Sequence, residues 1–306
     1  MKLQAFHHCA LCAGLAALDA GHEASVARSG RRLFTGALLA AGVGATLPAL
    51  AQSRDGVDVG KQSSFSKLVP AEQVEAAASQ QYAQMMQQAR SQKALAPADH
   101  PQVVRLRYVA ERLIPLSLRW NERAKQWKWE VNLIHSKQIN AFCMPGGKIA
   151  FYSGILEQLK LNDDEVAQIM GHEIAHALRE HARERMGKTA ATRLGAGLLS
   201  SLLGLGSTGD TLLNMGGQLL TLRFSREDES ESDLVGMDIA ARAGYEPNAG
   251  VTLWQKMIAA SKGAPPQFLS THPAGETRIR DLRENMPRVM PLYQKAEKPS
   301  RRFDPA

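Results

Sequence analysis

His172-Glu173-Ile174-Ala175-His176 is the stretch of this sequence whose residue types and spacing point most directly to a chemistry. At about 100° per residue, helical positions four apart differ by about 40°, so the two imidazoles project from one face, one turn apart. Neutral imidazoles at that separation suit two corners of a tetrahedral zinc site, and Glu173, a neighbour of both, is placed to act as general base on a water beside the ion. Two ordinary core histidines would leave Glu173 without a task in an apolar helix, where an unpaired carboxylate is costly.

A catalytic zinc needs a third protein ligand and an open fourth position. No third histidine follows at a short glycine-containing spacing; His181 comes five residues after His176. On a continuous helix that is about 140° round the axis, which predicts a solvated or structural residue. A carboxylate from a separate helix is expected instead, and the acidic run Arg226-Glu227-Asp228-Glu229-Ser230-Glu231-Ser232-Asp233 is its source. Glu229 and Asp233 are four apart on one face, so Glu229 can bind metal while Asp233 accepts the outer N–H of a ligating histidine. Composition alone leaves Glu227 and Glu231 open as ligands.

These residues must be carried by definite elements. Asn162-Asp163-Asp164 caps a helix expected to run to about Met186, and a charged helix follows from about Ser225 to the Gly244-Tyr245-Glu246-Pro247 stop. A further helix is expected around 253–260. Residues 187–222 are Gly- and Leu-rich, with uncharged runs too short to span a bilayer, and are expected to form core helices. Upstream, Trp127, Trp129, Val131 and Leu133 alternate with polar residues, and extended runs at 140–143 and 148–152 flank Pro145-Gly146-Gly147, which together predict a small antiparallel sheet. Val74, Ala78, Tyr82, Met85 and Ala89 share one face of a helix in 70–99, and Val103, Leu106, Ala110, Leu113 and Ser117 share another that Pro115 should kink or end. Residues 52–69, polar and Gly/Ser-rich, predict a flexible linker. Residues 291–306 are expected to form a C-terminal tail.

The first 51 residues resemble an address rather than a fold. Arg31-Arg32-Leu33-Phe34 precedes 21 uncharged residues, Leu33 to Ser53, that contain Ala49-Leu50-Ala51. Charged, apolar and A-x-A regions in that order predict a twin-arginine-like export signal cleaved after Ala51, with an uncleaved anchor as the alternative. Cys9 and Cys12 fall in it, which leaves Cys143 as the only thiol downstream and no intramolecular disulfide there. Hydrophobic residues at 44% and charged residues at 22% of 306 exclude wholesale disorder, a collagen or a multi-span membrane protein. A net charge of +7 without any dense basic block argues for no nucleic-acid partner.

Taken together, His172-Glu173-x-x-His176, Ser225-Arg226-x-x-Glu229-x-x-x-Asp233-x-x-Gly236, Ala243-Gly244-Tyr245-x-Pro247 and Ser270-Thr271-His272-Pro273 resemble the HtpX-like and CAAX-prenyl-protease-like zinc metalloproteases, peptidase family M forty-eight. Asn140-Ala141-Phe142 before Pro145-Gly146-Gly147 fits the same pattern, and the resemblance spans about residues 100–285. It implies an α+β, mostly helical zincin-type domain over 100–290, one zinc ion held by His172, His176 and Glu229, Glu173 as general base and Asp233 behind a ligand. It also implies the soluble periplasmic, BepA/LoiP-like branch without a helical-repeat domain, acting as an endopeptidase on unfolded or misassembled envelope proteins. A zinc-binding, chaperone-like factor with little turnover is the alternative.

Within that frame His272 is a candidate oxyanion donor, a resting fourth ligand that blocks the metal, or a loop anchor near Arg278. The extended run containing Asn140, Ala141, Phe142 and Gly147 is expected to offer an edge to which an unfolded polypeptide adds as a strand. Cys143 within it is either a redox-sensitive group or a small buried hydrophobe.

Overall fold

The computed structural model describes residues 55–194, 215–261, 266–273 and 275–306. The expected export signal and most of the Gly- and Leu-rich stretch, 195–214, lie outside the described residues.

Helix α4 (Asp163–Leu178) is the centre of the molecule. Asn162 accepts from the Glu165 amide and Glu165 reaches back to the Asn162 amide, a capping box that satisfies two of the helix's free N–H groups. Three acidic residues in the first turn complement the helix dipole. The helix stops at Leu178, earlier than its periodicity suggests. Glu180 turns into the left-handed region at φ 60°, and a second helix, α5 (His181–Leu194), starts in a new direction. Neither Gly nor Asn marks this break, so the sequence reads as one continuous helix.

Helix α6 (Arg226–Arg242) is fixed at its start by a second capping box, Ser225 with Asp228. It crosses α4 where two glycines meet. A Cβ on Gly171 would lie 2.7 Å from the Gly236 carbonyl oxygen, and one on Gly236 would lie 2.6 Å from the His172 amide nitrogen. Only glycine at both positions permits this approach, which brings the histidine-bearing turn of α4 against the Glu229- and Asp233-bearing turns of α6. Helix α7 (Ala249–Ala260) packs on α4, and the short α8 (Gln267–Thr271) presents His272. The long α9 (Glu276–Lys295) lies along α6.

A three-stranded sheet flanks α4, with order β1 (Glu130–Ile134), β3 (Lys148–Tyr152), β2 (Ala141–Met144). β2 and β3 form the expected hairpin, but β1 pairs parallel with β3, so the sheet is mixed and not wholly antiparallel. Alternating side chains report which face of a strand is buried and carry no signal for its direction. The short helix α3 (Ser153–Leu159) leads from β3 to α4. One face of the sheet packs on α1 (Ala71–Ser91) through Ala78, Tyr82 and Met86, and the Tyr82 hydroxyl donates to the Ile149 carbonyl at 2.6 Å. The other face packs on α2 (Pro101–Ser117) and α4 through Leu133, Ile149 and Phe151, and α2 ends two residues after Pro115.

Two segments depart from their expected freedom. Residues 55–69, read as a linker, form a strap. Val57 and Val69 are buried, the Val57 amide donates to Asp238 Oδ2 at 3.2 Å, the Gly60 carbonyl accepts from Arg179, and Ser64–Leu68 form a 3-10 turn against α5. Its polar composition hides this because side chains of the helices satisfy its backbone. Residues 291–306 are likewise no loose tail: α9 continues to Lys295, Leu292 is buried, and the Phe303 amide donates to Asp163 at 2.8 Å.

Candidate metal and catalytic centre

Four side chains from three elements converge at the crossing of α4 and α6. His172 and His176 come from one face of α4, Glu229 from the first turns of α6, and His272 from the end of α8; all four are buried, with ligand atoms within 4.8 Å of one another. The His172 and His176 Nε2 atoms are 3.1 Å apart, His172 Nε2 and His272 Nδ1 3.4 Å, His176 Nε2 and Glu229 Oε1 3.4 Å, and His272 Nδ1 and Glu229 Oε1 3.0 Å. A tetrahedral ion with bonds of about 2.0–2.1 Å spaces its donors about 3.3 Å apart. The donor set therefore fits a small cation: three imidazole nitrogens and a carboxylate turn their lone pairs to one point, where positive charge is needed to hold them together.

The far sides of the two α4 imidazoles also have close partners. His172 Nδ1 lies 3.0 Å from Asp233 Oδ1, which fixes its Nε2 toward the cluster. Asp233 in turn accepts from Arg278 at 2.6 and 2.7 Å and from the Trp254 indole at 3.1 Å, and the Arg278 guanidinium stacks 3.5 Å over the Trp254 ring. Arg278 Nη1 also lies 2.5 Å from Glu229 Oε2, without the alignment of a hydrogen bond. Burial raises the carboxyls of Glu229 and Asp233, but neighbouring charge prevails: His272 and Arg278 hold Glu229 well below the usual range, and Arg278 with His172 lowers Asp233.

His176 is oriented by a different partner. Its Nδ1 is 3.0 Å from Nδ1 of His181, which is buried, contacts the Ser232 hydroxyl at 3.3 Å and has its Nε2 3.6 Å from Glu231. The break at Glu180 swings His181 back over α4, so the expectation of a solvated residue fails and the structural one holds. With a proton on His176 Nδ1, donated to the bare Nδ1 of His181, the His176 Nε2 lone pair is free for the cluster. Glu231 also pairs with Arg179 and Glu227 is exposed, so neither lies in the cluster with Glu229.

Glu173 lies on the cluster's open side. Its Oε1 is buried without a hydrogen-bond partner, 3.7 Å from His272 Nε2, and burial pushes its carboxyl above the ordinary range. His272 stacks on Phe268 at 4.3 Å, which sets its ring beside His172, His176 and Glu229.

The match to known proteins decides the family. Residues 102–286 match Peptidase family M48. The chain belongs to that family. It is 36% identical over 194 residues to the mitochondrial metalloendopeptidase OMA1 of Schizosaccharomyces pombe, covering 62% of this chain and 55% of that protein. It is 30% identical over 170 residues to the beta-barrel assembly-enhancing protease of Escherichia coli K12, covering 52% and 35%. It is 28% identical over 206 residues to the metalloprotease LoiP of the same organism, covering 66% and 78%. This chain thus spans from about a third to three quarters of the length of these relatives.

Of the expected substrate strand, Asn140, Ala141 and Phe142 line a cleft that opens beside Glu173 and His176. Gly147 does not: it occupies the β2–β3 turn at φ 76°, and a Cβ there would meet the Trp129 ring at 2.7 Å. Its conservation of space serves the turn. The Tyr152 amide donates to the Asn140 carbonyl, so Asn140, Phe142 and Met144 bond to β3, and the main chain of Ala141 and Cys143 faces the free edge. Cys143 is buried; desolvation and the nearby Glu173 push its thiol up, which suits the small hydrophobe rather than a redox sensor. Arg278, Trp254, His181 and Phe268 were absent from the expected site. Arg278 and Trp254 lie far in sequence from Asp233 and His181 lies beyond a helix break, so no local spacing marks them; Phe268 is four residues from His272 on the same short helix, a spacing that could have pointed to it.

Proposed function

We propose that this chain is a zinc-dependent endopeptidase that hydrolyses peptide bonds of unfolded or misassembled proteins in the cell envelope. The observation that carries the reading is the convergence of His172, His176 and Glu229 with the buried carboxylate of Glu173, whose Oε1 has no hydrogen-bond partner, on the side where the cleft opens. A structural metal site would have no use for Glu173 there.

Zinc held by His172, His176 and Glu229, a donor set of nitrogen and carboxylate oxygen that favours this ion, would polarise the scissile carbonyl and acidify a water. Asp233 and His181 keep the two imidazoles aimed inward. Glu173, raised by burial, takes the water's proton and returns it to the leaving amine. The free edge of β2 orients the substrate by main-chain hydrogen bonds with little choice of sequence, which suits a disordered polypeptide. His272 fills the fourth corner, so we read the described state as latent, with His272 leaving the site when a substrate enters. This favours the blocking role over the oxyanion donor.

Action in the envelope is supported by the name of the E. coli relative that enhances beta-barrel assembly and by the export-type leader. Among the described residues no helix is long and apolar enough to cross a membrane. Cleavage after Ala51 releases the protein to the periplasm; an uncleaved leader anchors it facing the same compartment. The chaperone-like alternative is favoured by the filled fourth corner. Casein digestion by the purified protein, beside Glu173→Gln and His272→Ala, separates the readings. Cleavage by wild type, loss in Glu173→Gln and gain in His272→Ala, with about one zinc in wild type and Glu173→Gln, is expected. Full zinc occupancy without cleavage even in His272→Ala would establish the binder.

A further inference from the structure

A second groove, of about 1240 Å³, lies between the strap and α9 and shares no lining residue with the cleft beside Glu173. Arg288, Pro291, Leu292 and Lys295 line it from α9, at the i, i+3, i+4 and i+7 positions of one helix face. A rise of about 1.5 Å per residue sets the two cations about 10 Å apart along the axis, with apolar surface between them. Val57 and Val59 line it from the strap, and Arg119 and Trp120 from the turn after α2, where the guanidinium lies 5.6 Å from the ring centre. The charges are sorted by origin. Both acids of the groove, Asp55 and Asp58, belong to the strap; Asp55 lies 3.8 Å from Arg242, and Asp58 accepts from the Gly60 amide. All the cations come from elsewhere. Arg179 is buried and engaged by Glu231 and the Gly60 carbonyl, but Arg119, Arg288 and Lys295 are exposed and pair with no carboxylate among the described residues. The buried indole N–H of Trp120 has no acceptor there either.

We propose that this groove docks an acidic segment of a partner polypeptide in extended form, with two carboxylates about three residues apart on either side of an apolar side chain. An extended chain advances about 3.3 Å per residue, so carboxylates at that spacing span the distance from Arg288 to Lys295. The apolar residue between them covers Pro291, Leu292 and Trp120 and loses water there. Arg119 adds a third attraction, and the acids of the strap repel the same segment, which fixes the side on which its carboxylates lie. One exposed ion pair contributes little, but three cations acting on one segment steer it and set its register. An isolated phosphate would engage one end of the α9 face and leave the apolar middle bare, and a flat lipid surface does not enter a groove. The inference is independent of the endopeptidase reading: it supplies a partner contact outside the cleft whether the chain cuts or only binds.

The test uses the full chain carrying Glu173→Gln, so that no peptide is cut, and a fluorescein-labelled peptide with two glutamates three apart around a leucine, beside its lysine counterpart. Fluorescence anisotropy is expected to show the acidic peptide bound at least about tenfold more tightly than the basic one. Joint reversal by Arg288→Glu and Lys295→Glu should weaken it at least about tenfold, because attraction becomes repulsion at both ends. Arg90→Glu with Arg283→Glu changes the net charge equally at exposed cations outside the groove and should leave the affinity in place. The unlabelled peptide should also shift tryptophan emission, and Trp120→Phe should abolish that shift. Equal affinity for the two peptides, no binding of either, equal weakening in the two charge-reversed proteins, or an emission shift that survives Trp120→Phe overturns the site. Vesicles of phosphatidylglycerol that bind wild type and not the Arg288/Lys295 variant, where the acidic peptide does not bind, give the groove to a lipid surface and overturn the polypeptide occupant.

Discussion

At the scale of single residues, His172, His176 and Glu229 are each backed by a different group, Asp233, His181 and Arg278. Glu229 faces the cluster from α6 and Glu231, two residues on, meets Arg179 and His181. Glu229→Gln is therefore expected to lose bound metal while Glu231→Gln keeps it, and metal content by atomic emission checks this; equal content in the two variants would defeat the ligand assignment. His181 acts through His176. Its replacement by Leu removes the acceptor for His176 Nδ1–H and should weaken metal binding about 10- to 100-fold, the usual cost of losing such a partner, while Gln, which offers a carbonyl oxygen, restores part of it. Metal affinity by competition with a chromophoric chelator reads both. Cys143 provides a separate check on burial. Since desolvation holds its thiol well above the free value, alkylation by iodoacetamide at pH 8.5, near the free thiol's ordinary pKa, should be slow in the folded protein and rapid in urea.

At the scale of elements, the contact between Gly171 and Gly236 sets the spacing of α4 and α6. Gly236→Ala places a methyl within contact of the α4 backbone, an overpacking that typically costs about 1–3 kcal/mol. A lowered Tm together with reduced metal occupancy is expected, because the strain falls between the helices that carry opposite ligands. Thermal unfolding with and without added zinc measures it; unchanged occupancy would show that the spacing is set elsewhere. The elements were also where the sequence spoke unevenly. The capped start of α4 and the start of α6 near Ser225 were readable because capping acts locally, whereas Pro115 lies inside α2, which continues to Ser117. The break at Glu180 and the parallel partner of β3 were not, since tertiary contacts decide both. His172, His176 and Glu229 were found by spacing and resemblance, whereas Arg278 and Trp254 belong to α9 and α7 and meet Asp233 only in the fold.

At the scale of the whole molecule, the strap of residues 55–69 and the segment after α9 share an anchorage. Val57 and Gly56 sit on Asp238, Arg242 donates to the Asp55 carbonyl at 2.6 Å, and Arg112 joins the Ala243 carbonyl to that of Glu297. Val57→Asp would bury an unpaired charge beside Asp238 and should lower stability by about 1–3 kcal/mol, seen as a shift in the urea midpoint at constant slope. Asp238 lies near the end of α6 and Ala243 directly follows it, and the first turns of the same helix carry Glu229. The strap and the closing segment thus meet beside one end of a rod whose other end faces the histidine pair of α4.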